Sequence, residues 1–253
     1  MNKPHSLVAL VAILSAVAAG SVACAASPTA AEQQIAQAAA EQKYAFILFY
    51  KQNDAATQAV AKTLSQSTAN RKDQAVIVYV NVADASEKAL VEKYKTARAP
   101  MPMTLAVAPN GAITGVFAQK LSAQHVEEAF VTPTTAECMK SLQGGKTVLL
   151  CVRPATETAT PAGVQDFQAD PQFQGRVSLV SMRLDDKSEA SFLAELQIDA
   201  AKTRGTTVVF MAPPGVMVGK YTAQVTKAKL AADLHAAGKC CDDPNCKHGK
   251  KGN

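Results

Sequence analysis

Residues 97–118, ARAPMPMTLAVAPNGAITGVFA, decide how the rest of the chain is read. A loop ends at Met101-Pro102, a strand follows, and Pro109-Asn110-Gly111 turns the chain into a second strand. Proline presets the backbone of such a turn, and Asn-Gly accepts the left-handed conformations a tight reversal needs. A helix opened by Ser122 comes next and runs to about 130. Upstream, 44–50 (YAFILFY) is a continuous apolar run, the pattern of a central strand covered on both faces. A second such run is 75–82 (AVIVYVNV). Between and around them the spacing predicts three helices. One spans 27–42, with Ser27 as cap and Pro28 in the first turn. Another spans 54–69, with Asp54 as cap and Val60 and Leu64 four apart. The third spans 86–94, with Ser86 as cap.

The same order then recurs. Residues 131–135 (VTPTT) interrupt both periodicities and read as a boundary. After it come a helix over 136–142, a strand over 147–152, a weak helix over 164–167 and a strand over 177–184. A helix over 188–196, a strand over 206–211, the turn Pro213-Pro214-Gly215, a strand over 216–221 and a helix over 222–237 complete the copy. Landmarks match residue by residue. Asp84-Ala85-Ser86-Glu87 aligns with Asp186-Lys187-Ser188-Glu189, Ala108-Pro109-Asn110-Gly111 with Ala212-Pro213-Pro214-Gly215, and Ser122-Ala123-Gln124 with Thr222-Ala223-Gln224. Internal repetition is tested before any fold is assigned. The matches imply a tandem duplication, with residues 27–131 as one domain and 132–238 as the next.

A proline at a strand entrance, then a hairpin, then a closing helix resembles the back half of a thioredoxin-like fold. The implied fold class is α/β: two tandem thioredoxin-like domains, each a small mixed sheet flanked by helices. The resemblance suggests a cis peptide bond at Pro102, which proline permits at low cost. It also implies a groove able to take an extended peptide, and hence a protein or peptide partner. Redox activity does not carry over. Active members place a Cys-x-x-Cys pair where the first central strand meets the next helix, whose N-terminus lowers the first thiol's pKa. Here Asp54 and Thr57 fall near those positions, and Asp54 reads as a helix cap. The second copy offers Val152-Arg153-Pro154-Ala155-Thr156-Glu157, again without a pair, and Cys151 lies too early, inside the strand. Met103 separates Pro102 from Thr104, and the second copy has Arg204-Gly205-Thr206 with no proline there.

The chain has 253 residues and no tryptophan, with 48% hydrophobic residues, so its cores must be largely aliphatic. The net charge of +5 is partly the tail's Lys239, Lys247, Lys250 and Lys251. No basic-aromatic stripe accompanies it, which argues against a nucleic-acid surface. Residues 1–26 read as a signal peptide: Lys3, an uncharged apolar run over 7–20, then small residues. That run is short for a membrane span, which needs about 20 residues. Ser21-Val22-Ala23-Cys24 resembles a bacterial lipobox except at Ser21, where leucine is usual. Either Cys24 is lipidated, giving a membrane-anchored lipoprotein, or cleavage after Ala23 or Ala25 releases a periplasmic protein.

Cys138 and Cys151 sit on a helix and on the strand after it. They read either as a disulfide across the helix-sheet interface or as two buried small apolar residues. The tail, 239–253, places Cys240, Cys241, Cys246 and His248 within nine positions. Thiolates with an imidazole suit zinc or copper. A short disulfide loop to Cys246, or a free segment with reactive thiols, is the other reading. His125 reads as a surface residue. No Ser-His-Asp arrangement, phosphate loop or paired-carboxylate site is present. Three functions follow: a redox-inactive binding or scaffolding protein of the cell envelope, a metal-handling protein working through its tail, and a thiol-disulfide enzyme using the tail cysteines.

Overall fold

The computed structural model describes residues 27–239. Cys24, Cys240, Cys241, Cys246 and His248 lie outside the described residues. Helix α1 (Ala30–Ala40) leads into β1 (Tyr44–Tyr50), α2 (Ala55–Ser67) and β2 (Ala75–Asn81). A 3-10 turn, Ala85–Glu87, runs into α3 (Lys88–Lys93). The hairpin β3 (Met103–Val107) and β4 (Ile113–Ala118) and the closing helix α4 (Ala123–Glu128) complete the first half. The second half repeats it. Its elements are α5 (Pro133–Gln143), β5 (Thr147–Arg153), α6 (Ala162–Ala169), β6 (Val177–Arg183), a 3-10 turn at Lys187–Glu189, α7 (Ala190–Glu195), β7 (Thr207–Ala212), β8 (Val216–Thr222) and α8 (Lys227–Lys239). Among the described residues, no helix is long and apolar enough to cross a membrane.

The halves form two four-stranded sheets, ordered β2-β1-β3-β4 and β6-β5-β7-β8. In each, the first two strands are parallel and the hairpin adds antiparallel neighbours. Ile47 lies between Val78 and Leu105, and Leu150 between Val180 and Val209. The continuous apolar runs follow from this position. Alternate residues point to opposite faces, and both faces of a central strand are covered. Phe46 and Leu48 pack with Val60, Leu64 and Val126 of α2 and α4, while Ala45, Ile47 and Phe49 pack with Ala31, Ala38 and Leu90 of α1 and α3. In β5 the split recurs: Val148, Leu150 and Val152 face α5 and α7, and Leu149 and Cys151 face α6 and α8.

The helix starts differ from the sequence reading in four places. The last helix opens at Lys227 and not at 222, because Thr222 is still the last residue of β8. The first helix is capped by Thr29, not Ser27. The Thr29 hydroxyl accepts from the Glu32 amide at 3.2 Å and Glu32 Oε2 accepts from the Thr29 amide at 2.9 Å, a reciprocal box that leaves Pro28 outside the helix. Ser86 is not a cap. Asp84 Oδ1 accepts from the Ser86 amide and hydroxyl, as Asp186 does for Ser188. Pro133 does not break structure but opens α5 at its first position, behind the cap Thr132, where its missing N–H costs nothing.

A further repeat was not legible from pattern. Glu189, 3% exposed, accepts from the Thr134 amide at 2.9 Å and hydroxyl at 2.7 Å, tying the start of α5 to the turn before α7. In the first half Glu87 accepts from the Thr29 hydroxyl at 3.0 Å, doing the same for α1.

Candidate functional site

In the first half, the loop after β1 ends on Asp54, whose Oδ1 accepts from the Thr57 amide at 2.9 Å. That bond holds the exposed Asp54 carboxyl below its ordinary range, because the ionised form is the better acceptor. Thr57 is buried and its hydroxyl donates to the Gln52 carbonyl at 2.9 Å. Both side chains are therefore engaged in closing the helix start. Across the sheet end, the Met101–Pro102 peptide bond is cis, Pro102 is buried, and its carbonyl accepts from Gln119 at 2.7 Å.

The second half fills the same place by other means. Arg153 ends β5 and its guanidinium donates to the Thr158 carbonyl and the Ser181 hydroxyl. Residues 154–161 form a loop, so α6 starts well after the strand. From this loop Glu157 reaches across to Thr206, accepting from its amide at 2.9 Å and its hydroxyl at 2.6 Å. Thr206 precedes β7 as Pro102 precedes β3, and it is 3% exposed. Sequence reading missed Glu157. The available signal was that it is the sole acidic residue between Arg153 and Asp166. Glu157→Ala strands a buried amide and hydroxyl, so an unfolding free energy lower by about 1–3 kcal/mol is expected in urea titration, with Glu157→Gln recovering part of it.

A cleft of about 640 Å³ lies where the halves meet. Ile35 and Ala39 of α1, Leu90 and Tyr94 of α3, and Val107 and Ile113 of the hairpin give it an apolar lining. Lys43, Lys93 and Lys140 also line it. Lys43 pairs with Glu41 at 2.7 Å, Lys93 Nζ lies 5.2 Å from the Tyr94 ring centre, and Lys140 donates to the Gly111 carbonyl at 3.1 Å. Glu32, the lining's carboxylate, is engaged in the α1 cap. Burial pushes the Tyr94 hydroxyl pKa up, so the phenol stays neutral. One end of the cleft is closed by α5, whose Gln143 side chain donates to the Ile113 carbonyl at 2.7 Å and accepts from its amide at 2.9 Å.

In both halves a parallel strand pair is followed by an antiparallel hairpin and a closing helix, with helices on both faces and the strand-to-helix loop facing the residue before the hairpin. Each half has a thioredoxin-like fold. No family model matches the chain, and no curated relative matches it. Solved structures are matched over most of it. The zinc-bound form of human ERp44 is 10% identical, with 80% of this chain and 58% of that chain covered and a TM-score of 0.35. The N-terminal N/C domain of alkylhydroperoxide reductase AhpF from Enterococcus faecalis is 16% identical, covering 80% and 96%, at a TM-score of 0.31. The first two thioredoxin domains of Saccharomyces cerevisiae Eps1p are 12% identical, covering 80% and 95%, at 0.30.

The cysteines of the second thioredoxin-like domain do not meet. Cys138 packs on the α5 face of the sheet with Leu150 and Val180, and Cys151 on the opposite face with Val164 and Phe167. Strand alternation puts the sheet between them, which removes the disulfide reading, and both are free thiols. Burial, with Glu137 and Glu189 nearby, pushes the Cys138 thiol up to about 12, and burial raises Cys151 too. Neither supplies a thiolate near neutral pH. His235 is exposed on α8. Among the described residues, no three His, Cys, Asp or Glu side chains gather as metal ligands. His125 is not the lone surface residue its sequence suggested. It stacks on Phe117 with ring centres 5.0 Å apart, and its Nδ1 accepts from the Ser122 amide at 3.4 Å.

Proposed function

We propose that this chain is an exported, redox-inactive thioredoxin-like protein of the bacterial cell envelope that works by binding a partner protein. The observation that carries this reading is the occupancy of both redox positions. Asp54 and Thr57 in one domain are committed to capping α2, and in the other Glu157 is bonded to Thr206. The two thiols within the domains are buried, protonated and on opposite faces of a sheet. The cleft supplies a binding surface. Its volume lies in the range of ligand sites, and its apolar lining and three lysines suit a partner segment that carries acidic groups around an apolar anchor. Insulin reduction by dithiothreitol is expected to run no faster with this protein than without it. Turnover comparable to an active thioredoxin would overturn the reading. Its loss in a Cys240→Ser, Cys241→Ser variant would move the activity to the tail.

A further inference from the structure

The first domain ends its hairpin in a turn that the second domain covers. Ala108 and Ala112 of that turn, 2% and 0% exposed, pack with Ala136 of α5. Beside them Gln143 holds both backbone groups of Ile113, and Lys140 holds the Gly111 carbonyl. The second domain carries a turn at the same place, there with Pro213–Pro214 cis. Gly215 donates to the Ala212 carbonyl at 2.9 Å as Gly111 donates to Ala108 at 2.8 Å. In the two hairpins Met217 faces Met211 as Ile113 faces Val107. Here the place of the buried Ala112 is taken by Val216, 53% exposed, followed by Met217 at 43%. Pro213 and Pro214 are exposed as well. Among the described residues the second copy of the acceptor is thus apolar and uncovered, while the first shows what kind of element covers it: the helix that precedes a domain's first strand.

We propose that the uncovered turn receives α1 of a second copy of this chain, so that copies associate head to tail. Helix α1 is the counterpart of α5, each standing just before its domain's first strand behind a threonine cap. Its inner face, with Ala31 and Ala38, is spent on its own sheet. Counted back from Tyr44 and Thr147, the positions of Ala136, Met139, Lys140 and Gln143 on α5 are those of Gln33, Ala36, Gln37 and Ala40 on α1. All four are exposed and none is charged, so docking them desolvates no ion. The two surfaces are different patches of one molecule. The contact is heterologous and leaves a free acceptor and a free helix at the ends of every assembly that does not close into a ring. The inference is separable from the binding-protein reading: of the four helix positions Ala36 lines the cleft, while Gln33, Gln37 and Ala40, like the turn itself, lie off it, and Gln37→Glu therefore probes the contact without touching the cleft.

Sedimentation velocity of the purified chain over a concentration series tests it. The weight-average mass is expected to rise past that of a dimer. Met217→Lys and Ala36→Glu, made separately, each bury a charge at the contact and weaken association by about tenfold or more. Mixed, they recover a dimer that does not grow, because one contributes an intact helix and the other an intact turn. Both positions are exposed, and Val216→Lys with Gln37→Glu repeats the test should either variant fold poorly. A single monomeric mass at every concentration overturns the proposal. So does association that Ala36→Glu leaves unchanged, or a mixture that stays monomeric.

Discussion

Phe167→Ala is expected to lower the free energy of unfolding by about 3–5 kcal/mol. Phe167 is fully buried at the centre of the α6–α8 face. Its ring stacks on Phe173 at 4.1 Å and meets Phe210 edge-on at 5.6 Å. Truncation removes the transfer free energy of the ring, two aromatic contacts and the filling of a site whose neighbours come from β5, β6, β7 and α8. Those neighbours are fixed by the sheet and by Leu230 of α8, so the void closes only in part. A domain of this size has about 5–15 kcal/mol in all, and the loss is a large share of it. Urea denaturation checks it. Phe167→Leu is expected to lose clearly less, and equal losses in the two variants would mean that the site collapses freely.

Gly163→Ala is expected to destabilise by about 1–3 kcal/mol, although alanine is the better helix former by about 1 kcal/mol. Gly163 is buried in the first turn of α6, where a Cβ would run into the carbonyl of Val225 and lie 2.9 Å from the Cα of Thr226. Both obstacles are backbone, which cannot rotate aside. The segment leading into α8 must move instead, and with it Val225 and Leu230, which complete the core around Phe167. A shift of the unfolding midpoint to higher urea would show that the approach of these two segments is slack.

The strands were legible because burial on both faces writes a continuous apolar run, and 44–50 matches β1 residue for residue. The repeat was legible because turns and helix entries reuse the same few residues, as in Ala108-Pro109-Asn110-Gly111 and Ala212-Pro213-Pro214-Gly215. What escaped was set by contacts distant in sequence. Glu157 and Thr206 are 49 positions apart, and Glu189 and Thr134 are 55. Glu189 entered the sequence reading only as a landmark of the repeat, because periodicity says which face a residue occupies, not what lies beyond it. Cys138 and Cys151 show the same limit. The period of the strand put Leu150 and Cys151 on opposite faces, but only the packing of α5 on the Leu150 side separates the two thiols. Two helix entries were misassigned by two positions, Ser27 for Thr29 and Ser86 for Asp84, each where a second small polar residue stood close by.

The junction between the domains has no slack. The Tyr44 hydroxyl donates to the Val131 carbonyl at 2.9 Å and accepts from the Val131 amide at 3.2 Å, and the next residue, Thr132, already caps α5. A tether of free residues would let two beads tumble separately. Here the connecting segment is bonded on one side and caps a helix on the other, so the halves are expected to share one rotational correlation time. A swing of one against the other must first break the tyrosine's pair of bonds and the grip of Gln143 on Ile113.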